Sequence, residues 1–337
     1  MTDDSRAVKA RPPKPAWTKD VARYAHPDHR KAIWQLVNTF VPYIGLWALM
    51  VYAVLAGVPY YVTLALAVVA AAFYVRIFIF FHDACHGSFF SSSRANAALG
   101  YVAGTLTFTP FTSWQRSHAR HHATSGNLDR RGSGDVWTMT LGEYQAAPRR
   151  TRFAYRLYRN PLILFGLGPG ISFVVAQRFP QKRAKRPERI SVLVTDLAIL
   201  AIVVVASLTM GFWTYVAIQL PIILIAGALG IWLFYVQHQF EGVYWARDGA
   251  WDYAEAALKG SSFYKLPKVL QWFTGNIGLH HIHHLRPRIP NYSLQACYDG
   301  VPAMQDVQPL TLWKSLGCLR LRLWDEKEGK LVGFGSV

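Results

Sequence analysis

Two long stretches of this chain contain no Asp, Glu, Lys or Arg, and they restrict the fold more than any other feature. They are residues 32–75 and residues 197–240, each 44 residues long. As α-helix, such a stretch would extend roughly 66 Å, about twice the roughly 30 Å hydrocarbon core of a bilayer. We therefore expect each stretch to form a hairpin of two spans, which predicts an all-α integral membrane protein with four transmembrane helices.

Helix-breaking residues mark the turns of these hairpins at Gly57, Pro59 and Gly211. The predicted spans are residues 33–56, 60–81, 190–210 and 213–237. Residues 1–31 are polar and proline-rich, so we expect a mobile tail there. Residues 32–300 would form the membrane domain, and residues 301–337 a C-terminal tail.

The chain carries a formal charge of +17. Such a charge could indicate a nucleic-acid partner, but its distribution argues against one, because the presumed outer turns are uncharged. Basic residues are concentrated between the hairpins: Arg149, Arg150, Arg152, Arg156, Arg159, Arg178, Lys182, Arg183, Lys185, Arg186 and Arg189. This excess predicts that the segment between the hairpins and both termini face the cytoplasm. Lipid headgroups would account for most of the charge, and an acidic electron carrier for the rest.

Ten of the twelve histidines occur in four places. A His-x-x-x-His pair is followed by two His-x-x-His-His boxes and by one isolated histidine at the end of the fourth span. These histidines are His82 and His86; His118, His121 and His122; His238; and His280, His283 and His284, with His281 inserted. Since residues three and four apart share one face of a helix, each box can direct its imidazoles at one centre.

Nine imidazoles are too many for one zinc ion, which takes four ligands or three plus water, so we expect two metal ions. Imidazole also binds copper, nickel and iron, and the membrane context favours iron. Second-shell contacts are expected from nearby acids, most clearly Asp83, and also Asp129, Asp135, Glu241 and Asp252. On a helix His281 lies at the edge of the ligand arc, so we interpret it as a second-shell or packing residue.

Two shorter apolar segments, residues 95–112 and 160–177, need not cross the membrane. If the first did, the histidines on either side of it would lie on opposite faces of the bilayer. We therefore expect re-entrant or interfacial structure in both. Asp196, near the start of the third span, is interpreted either as a functional acid or as a partner of Arg189 or a headgroup.

From about residue 30 to residue 300, the chain resembles the membrane fatty acid desaturase family, in particular bacterial acyl-lipid desaturases. The matching strings are HDACHGSFF (82–90), HARHHATSGNLD (118–129), VQHQFE (236–241), GSSFY (260–264) and GNIGLHHIHH (275–284). The resemblance implies a di-iron site in a cytoplasmic helical cap, with the nine histidines named above as ligands. It leaves open how the ligands divide between the two irons.

The resemblance also implies an O₂-dependent reaction that removes hydrogen from two adjacent methylenes and leaves a cis double bond. The first box has three intervening residues rather than the four of animal acyl-CoA desaturases, which favours lipid-linked acyl chains. We expect the delta-12 (omega-6) position, with delta-9 and delta-5 as alternatives. Electrons would come from outside the chain, from a ferredoxin with its reductase. The expected location is the bacterial inner membrane.

Other functions remain open at this point. A membrane di-iron hydroxylase or ketolase could use the same histidines. A metal transporter would place polar ligands near mid-membrane, and a haem carrier would place histidines facing each other within paired spans. The concentration of histidines at one predicted membrane face favours the enzyme.

Overall fold

A computed structural model describes residues 17–132 and 134–337, and helices dominate this part of the chain. The helices are α1 (Trp17–Ala22), α2 (His29–Leu55), α3 (Tyr60–His86), α4 (Ser93–Leu106), α5 (Phe111–Thr124), α6 (Leu141–Ala146), α7 (Arg149–Tyr158), α8 (Arg186–Thr209), α9 (Phe212–His238), α10 (Tyr253–Leu258), α11 (Lys268–Phe273), α12 (His280–Leu285), α13 (Asn291–Gly300) and α14 (Leu312–Gly317).

Four of these helices, α2, α3, α8 and α9, are long and apolar enough to cross a membrane. All four extend beyond the predicted spans, α9 by one residue at each end, and local capping explains the differences in α2 and α3. α2 begins at His29 because the Asp28 side chain accepts hydrogen bonds from the backbone N–H groups of residues 30 and 31. α3 continues to His86, where Gly87 ends it with a φ of 64°.

α3 lies at the centre of the helical assembly and packs against α2, α4, α5 and α9. Its buried face carries small residues at close helical spacing, among them Ala67, Ala70 and Ala71. Such residues let neighbouring helices approach closely where the hydrophobic effect cannot drive their association. This packing brings the C-terminal ends of α3 and α9, the second and fourth of the long apolar helices, close to α5.

The loop 107–110 between α4 and α5 is irregular, and Phe108 adopts a φ of 56°. Its polar groups are paired within the protein: Thr107 Oγ1 donates to the carbonyl of residue 103, and Arg178 donates to the Phe108 carbonyl. Arg178 also forms an ion pair of 2.6 Å with Asp196. Asp196 therefore does not pair with Arg189, which lies on the same helix seven residues earlier, about 10 Å away along the axis.

Residues 162–178 form a distorted helix of π-helical and 3₁₀ turns that bends by 61° from α7. Pro161, which cannot donate a backbone hydrogen bond, lies at the bend. One side of the segment packs inward through Leu164, whereas Leu162 and Ile171 are exposed. This segment is therefore apolar on both sides, as a helix at or within a bilayer would be.

Five short strands accompany the helices, which the all-α prediction did not include. They are β1 (Met139–Thr140), β2 (Phe263–Lys265), β3 (Pro309–Thr311), β4 (Leu323–Asp325) and β5 (Lys330–Val332). β2 pairs with β3, and β4 pairs with both β1 and β5. Residues after 300 are thus packed against the histidine-bearing part of the chain.

At the other end of the chain, residues 1–16 of the predicted tail lie outside the described residues. From residue 17 the chain forms α1, and Val21 of α1 belongs to the same buried hydrophobic cluster as Ile282 of α12. The described part of the predicted tail thus packs beneath the third histidine box.

Candidate metal centre

The structure brings all nine predicted histidines together in two adjacent groups. Within each group, the ring nitrogens available to a metal lie within 4.8 Å of one another. The first group contains five histidines and the second contains four: His82, His86, His118, His122 and His283; and His121, His238, His280 and His284.

Helical spacing explains how the two His-x-x-His-His boxes divide between the groups. On α5, His118 and His122 lie one turn apart and contribute to the first group, while His121 faces the second. On α12 the division is reversed, because the one-turn pair His280 and His284 contributes to the second group. Each box therefore contributes to both groups, with two imidazoles on one side and one on the other.

Distances between facing nitrogens fit metal coordination. The Nε2 atom of His122 lies 3.0 Å from those of His118 and His283, and the Nε2 atom of His238 lies 3.1 Å from those of His121 and His280. With metal–nitrogen bonds of about 2.1 Å, ligands at 90° lie about 3.0 Å apart and ligands at the tetrahedral angle about 3.4 Å. Spacings of this size are compatible with imidazole nitrogens that share one metal ion.

The outward ring nitrogens of three histidines are fixed by hydrogen bonds. His82 Nδ1 lies 3.2 Å from Asp83 Oδ1, His121 Nδ1 lies 2.6 Å from Asp135 Oδ1, and His238 Nδ1 lies 3.1 Å from the carbonyl of residue 260. Such contacts fix the tautomer and turn the other nitrogen, Nε2, towards the centre. Two of the predicted acids, Asp83 and Asp135, thus contact histidines of the groups.

Asp83 is held in turn by Asn291, which the sequence analysis did not identify. The backbone N–H and the side-chain amide of Asn291 both donate to Asp83 Oδ2, at 2.7 and 2.9 Å. Asn291 is 208 residues from Asp83 in the chain, and no local motif marks it. Only the packing of α13 against the end of α3 reveals this contact.

The other acids that we expected to contact the histidine ligands lie elsewhere. Asp129 forms an ion pair of 2.5 Å with Arg247, and Glu241 is exposed. Asp252 caps α10. Their positions in sequence near the boxes were misleading, because all three residues are exposed at the surface. His281 lies outside both groups and its Nε2 is 3.0 Å from the carbonyl of Met304.

Eight of the nine histidines are buried, and His86 is partly exposed. Burial lowers the pKa of the His118, His122 and His284 imidazoles well below the usual range. These rings are therefore neutral near pH 7, as metal ligands must be. The Nε2 atoms of His86 and His284 are buried without a hydrogen-bond partner among the described residues. One metal ion in each group would satisfy both atoms, so the donor set fits a pair of metal ions.

An apolar cavity of about 450 Å³, which we call the catalytic cavity, adjoins both groups. His82, His118 and His280 line one end, and Tyr74 and Ile223 line the other. Along α9 the lining runs from residue 223 to residue 237, about 21 Å at 1.5 Å per residue. The cavity is therefore long and mostly hydrophobic, and it reaches histidines of both groups.

Comparison with known proteins identifies the family. A model of the fatty acid desaturase family matches residues 59–315. A fatty acid desaturase of Bacillus subtilis is 50% identical, over 95% of this chain and 90% of the relative. An sn-1 oleoyl-lipid 12-desaturase of Picosynechococcus is 25% identical, over 74% of this chain and 72% of the relative.

A third relative is the sn-1 acyl-lipid omega-3 desaturase (ferredoxin) of Synechocystis, which is 28% identical over 67% of this chain and 63% of the relative. The family match includes all nine clustered histidines and the lining of the catalytic cavity between residues 74 and 280. The chain therefore belongs to the fatty acid desaturase family and is an oxidoreductase.

Proposed function

We propose that this protein introduces a cis double bond into lipid-linked acyl chains, with two iron ions bound by the nine clustered histidines and O₂ as the oxidant. The main support for this proposal is the apolar catalytic cavity, which is lined by histidines of both groups. When bound, the iron pair would supply the oxidising power, using O₂ to take two hydrogens from the acyl chain and releasing water.

The residues of the chain position the substrate and keep the site dry. An acyl chain in the catalytic cavity would have its methylenes beside His82, His118 and His280, which line the cavity. Trp114 stacks on the His118 ring with centroids 4.1 Å apart and also lines the cavity. Trp114 would therefore hold both a ligand and the substrate at the reacting end and exclude water from it.

The Asp135 carboxylate is predicted to stabilise metal binding through His121. Asp135→Asn should lower iron affinity and activity by roughly 10- to 100-fold, because the amide cannot accept the N–H bond with the same strength. Asp129→Asn is the matched control, since Asp129 pairs with Arg247 at the surface. Iron content and turnover of both purified variants test this, and equal iron retention would contradict a role for Asp135.

We propose that the four long helices form two membrane hairpins, with the histidines and both termini in the cytoplasm. Support comes from the chain order, since α3 and α9 both end on histidines of the two groups, His86 and His238. The exposed basic residues Lys182, Arg183 and Lys185 directly precede α8, and such segments tend to remain in the cytoplasm. We propose that this membrane is a bacterial plasma membrane.

An external carrier would supply the electrons, and we propose a ferredoxin with its reductase. The ferredoxin-dependent relative supports this choice. A basic surface adjoins the histidine-bearing helix α5, because Arg120 of α5 contacts Gln181, next to Lys182 and Arg183. An acidic partner docked there would lie about one helix diameter, roughly 10 Å, from the histidines on the opposite face of α5.

Delta-12 (omega-6) is the position that we propose for the double bond. The relative named as an oleoyl-lipid 12-desaturase supports it, and the omega-3 relative is the alternative. The delta-9 and delta-5 positions also stay open as outcomes of the experiment below.

The test is gas chromatography–mass spectrometry of membrane lipids from a host that expresses the chain, with the double bond located by derivatisation. We expect new cis double bonds at delta-12, absent from cells that carry the empty vector. New hydroxyl or keto groups without new double bonds would instead identify a hydroxylase or ketolase and contradict the proposal.

A further inference from the structure

Arg159 is a buried arginine to which the proposed chemistry gives no role. It directly follows α7, and only 3% of the residue is exposed. Its guanidinium contacts five oxygen atoms, all of which belong to carbonyl, hydroxyl or amide groups, with no carboxylate among the described residues. Burying a charge is costly unless hydrogen bonds compensate for the lost water. The neutral groups around Arg159 supply that compensation, so each of them is tied to the guanidinium.

One side of the guanidinium holds the chain just after Asp135. Its Nη1 atom lies 3.2 Å from the carbonyl oxygen of Trp137 and 3.4 Å from Oγ1 of Thr138. Asp135, two residues before Trp137, contacts His121 Nδ1 through its carboxylate. Arg159 therefore fixes the segment from which Asp135 reaches His121.

The other side of the guanidinium holds the end of α9. Its Nη2 atom lies 2.9 Å from Oε1 of Gln239 and 3.1 Å from the hydroxyl oxygen of Tyr235. Gln239 follows His238 directly, and its side-chain amide donates to Thr138 Oγ1 at 3.1 Å. The side chains of residues 138, 159 and 239 thus form a closed triangle of contacts, which joins the segment after residue 135 to the end of α9.

Both sides of Arg159 lead to the same pair of histidines. His121 and His238 face each other with their Nε2 atoms 3.1 Å apart, and both belong to the second group. The fifth contact, at 2.8 Å to the carbonyl oxygen of Leu321, ties Arg159 to the C-terminal part of the chain. None of the five contacted residues is next in sequence to a histidine of the first group. The contacts of Arg159 therefore bear on one group only.

We infer that Arg159 is a positioning residue that holds His121 and His238 at the separation needed to share one metal ion. This inference rests on the proposed metal centre. Without the guanidinium, the ligands would remain, but the segment after Asp135 and the end of α9 would no longer be joined through it. Losing a residue that hydrogen-bonds a ligand lowers metal affinity by roughly 10- to 100-fold. Arg159 acts one contact further out, so we expect the lower end, about tenfold, in the second group alone.

The experiment measures the two groups separately in two backgrounds. The double variant His82→Ala/His86→Ala removes two ligands of the first group, and His121→Ala removes one of the second. Ferrous iron is titrated anaerobically into each purified, metal-free chain, and bound iron is counted per chain. We expect Arg159→Gln to weaken iron binding about tenfold in the first background, where the second group is intact, and to leave it unchanged in the His121→Ala background.

Arg76→Gln is the matched control for the loss of a buried arginine. Arg76 is 2% exposed and donates to the Thr39 hydroxyl and the Trp272 carbonyl, again with no carboxylate among its described partners. It contacts neither the segment after Asp135 nor the end of α9. In the His82→Ala/His86→Ala background, Arg76→Gln should leave the iron affinity of the second group unchanged.

Two milder variants keep the test decisive if Arg159→Gln does not fold. Arg159→Lys retains the charge, but one ammonium group cannot reproduce the planar set of guanidinium donors, so we expect the same selective loss of iron affinity. Thr138→Val removes only the hydroxyl that contacts both Arg159 and Gln239, and should give a smaller loss in the same background.

Equal weakening in both backgrounds would show that Arg159 only supports the fold and would overturn the inference. Unchanged iron affinity in both backgrounds would overturn it as well. Wild-type affinity in Arg159→Lys would assign the effect to charge rather than to the bridging contacts, with the same consequence. A wild-type chain that binds no ferrous iron would instead refute the proposed metal centre.

Discussion

Replacing His121 with alanine should abolish desaturation and deplete the second histidine group of the iron that we propose it binds. His121 faces His238 across 3.1 Å between Nε2 atoms, and its Nδ1 is held by Asp135 at 2.6 Å. The group has four imidazoles, so the variant leaves three and removes the ring that Asp135 orients. Removing a residue that hydrogen-bonds a metal ligand lowers metal affinity or activity by roughly 10- to 100-fold. Removing the ligand itself should therefore lower both by more than about 100-fold.

Measuring this requires turnover and iron content in the same purified sample, after size-exclusion chromatography has shown that the variant is folded. The matched control is His281→Ala on α12. That ring is buried but lies outside both groups, and its partner is the Met304 carbonyl. Its removal should cost about 1–3 kcal/mol of stability and leave the iron bound. Wild-type activity in His121→Ala, or iron loss in His281→Ala, would contradict the assignment of ligands.

A second large effect is expected from Gly278→Ala, two residues before the third histidine box. A Cβ atom at this position would lie 2.3 Å from the carbonyl oxygen of Tyr264. The two backbones are in direct contact there, since the Tyr264 N–H donates to the Gly278 carbonyl at 2.7 Å. The obstacle is backbone rather than a movable side chain, so the chain leading to His280 must shift.

We expect Gly278→Ala to lower stability by about 1–3 kcal/mol and to reduce bound iron, because His280, His283 and His284 follow the displaced segment. Gly142→Ala is the control, because a Cβ there meets no atom within 4 Å and the position is exposed on the short helix α6. Thermal unfolding and iron analysis of the two variants distinguish the cases. Equal unfolding temperatures and iron contents in the two variants would contradict the prediction.

The four long apolar helices and the clustering of the histidines could be predicted because both follow from short-range patterns. A run of 44 uncharged residues admits few folds, and the last turns of α3 and α9 carry histidines where the pattern placed them. Helical spacing within α5 and α12 also determines which of their imidazoles share a face. The division of the boxes between two groups was not predictable, since it depends on how the two helices face each other.

Residues whose roles depend on distant packing could not be predicted from the sequence. Asn291 supports Asp83 from the other end of the chain, and Arg178 reaches Asp196 from a bent segment that no periodicity marks. Proximity in sequence misled for Asp129, which turns outward to Arg247. The strands of the last 37 residues were likewise missed, because runs of two or three residues are too short to show an alternating pattern.

The most direct test of the metal centre is the metal content of the purified wild-type chain, measured by inductively coupled plasma mass spectrometry against protein concentration. We predict two iron ions per chain, with one set of five and one set of four histidines as their ligands. A single metal ion per chain, or zinc in place of iron in protein that desaturates lipids, would contradict it.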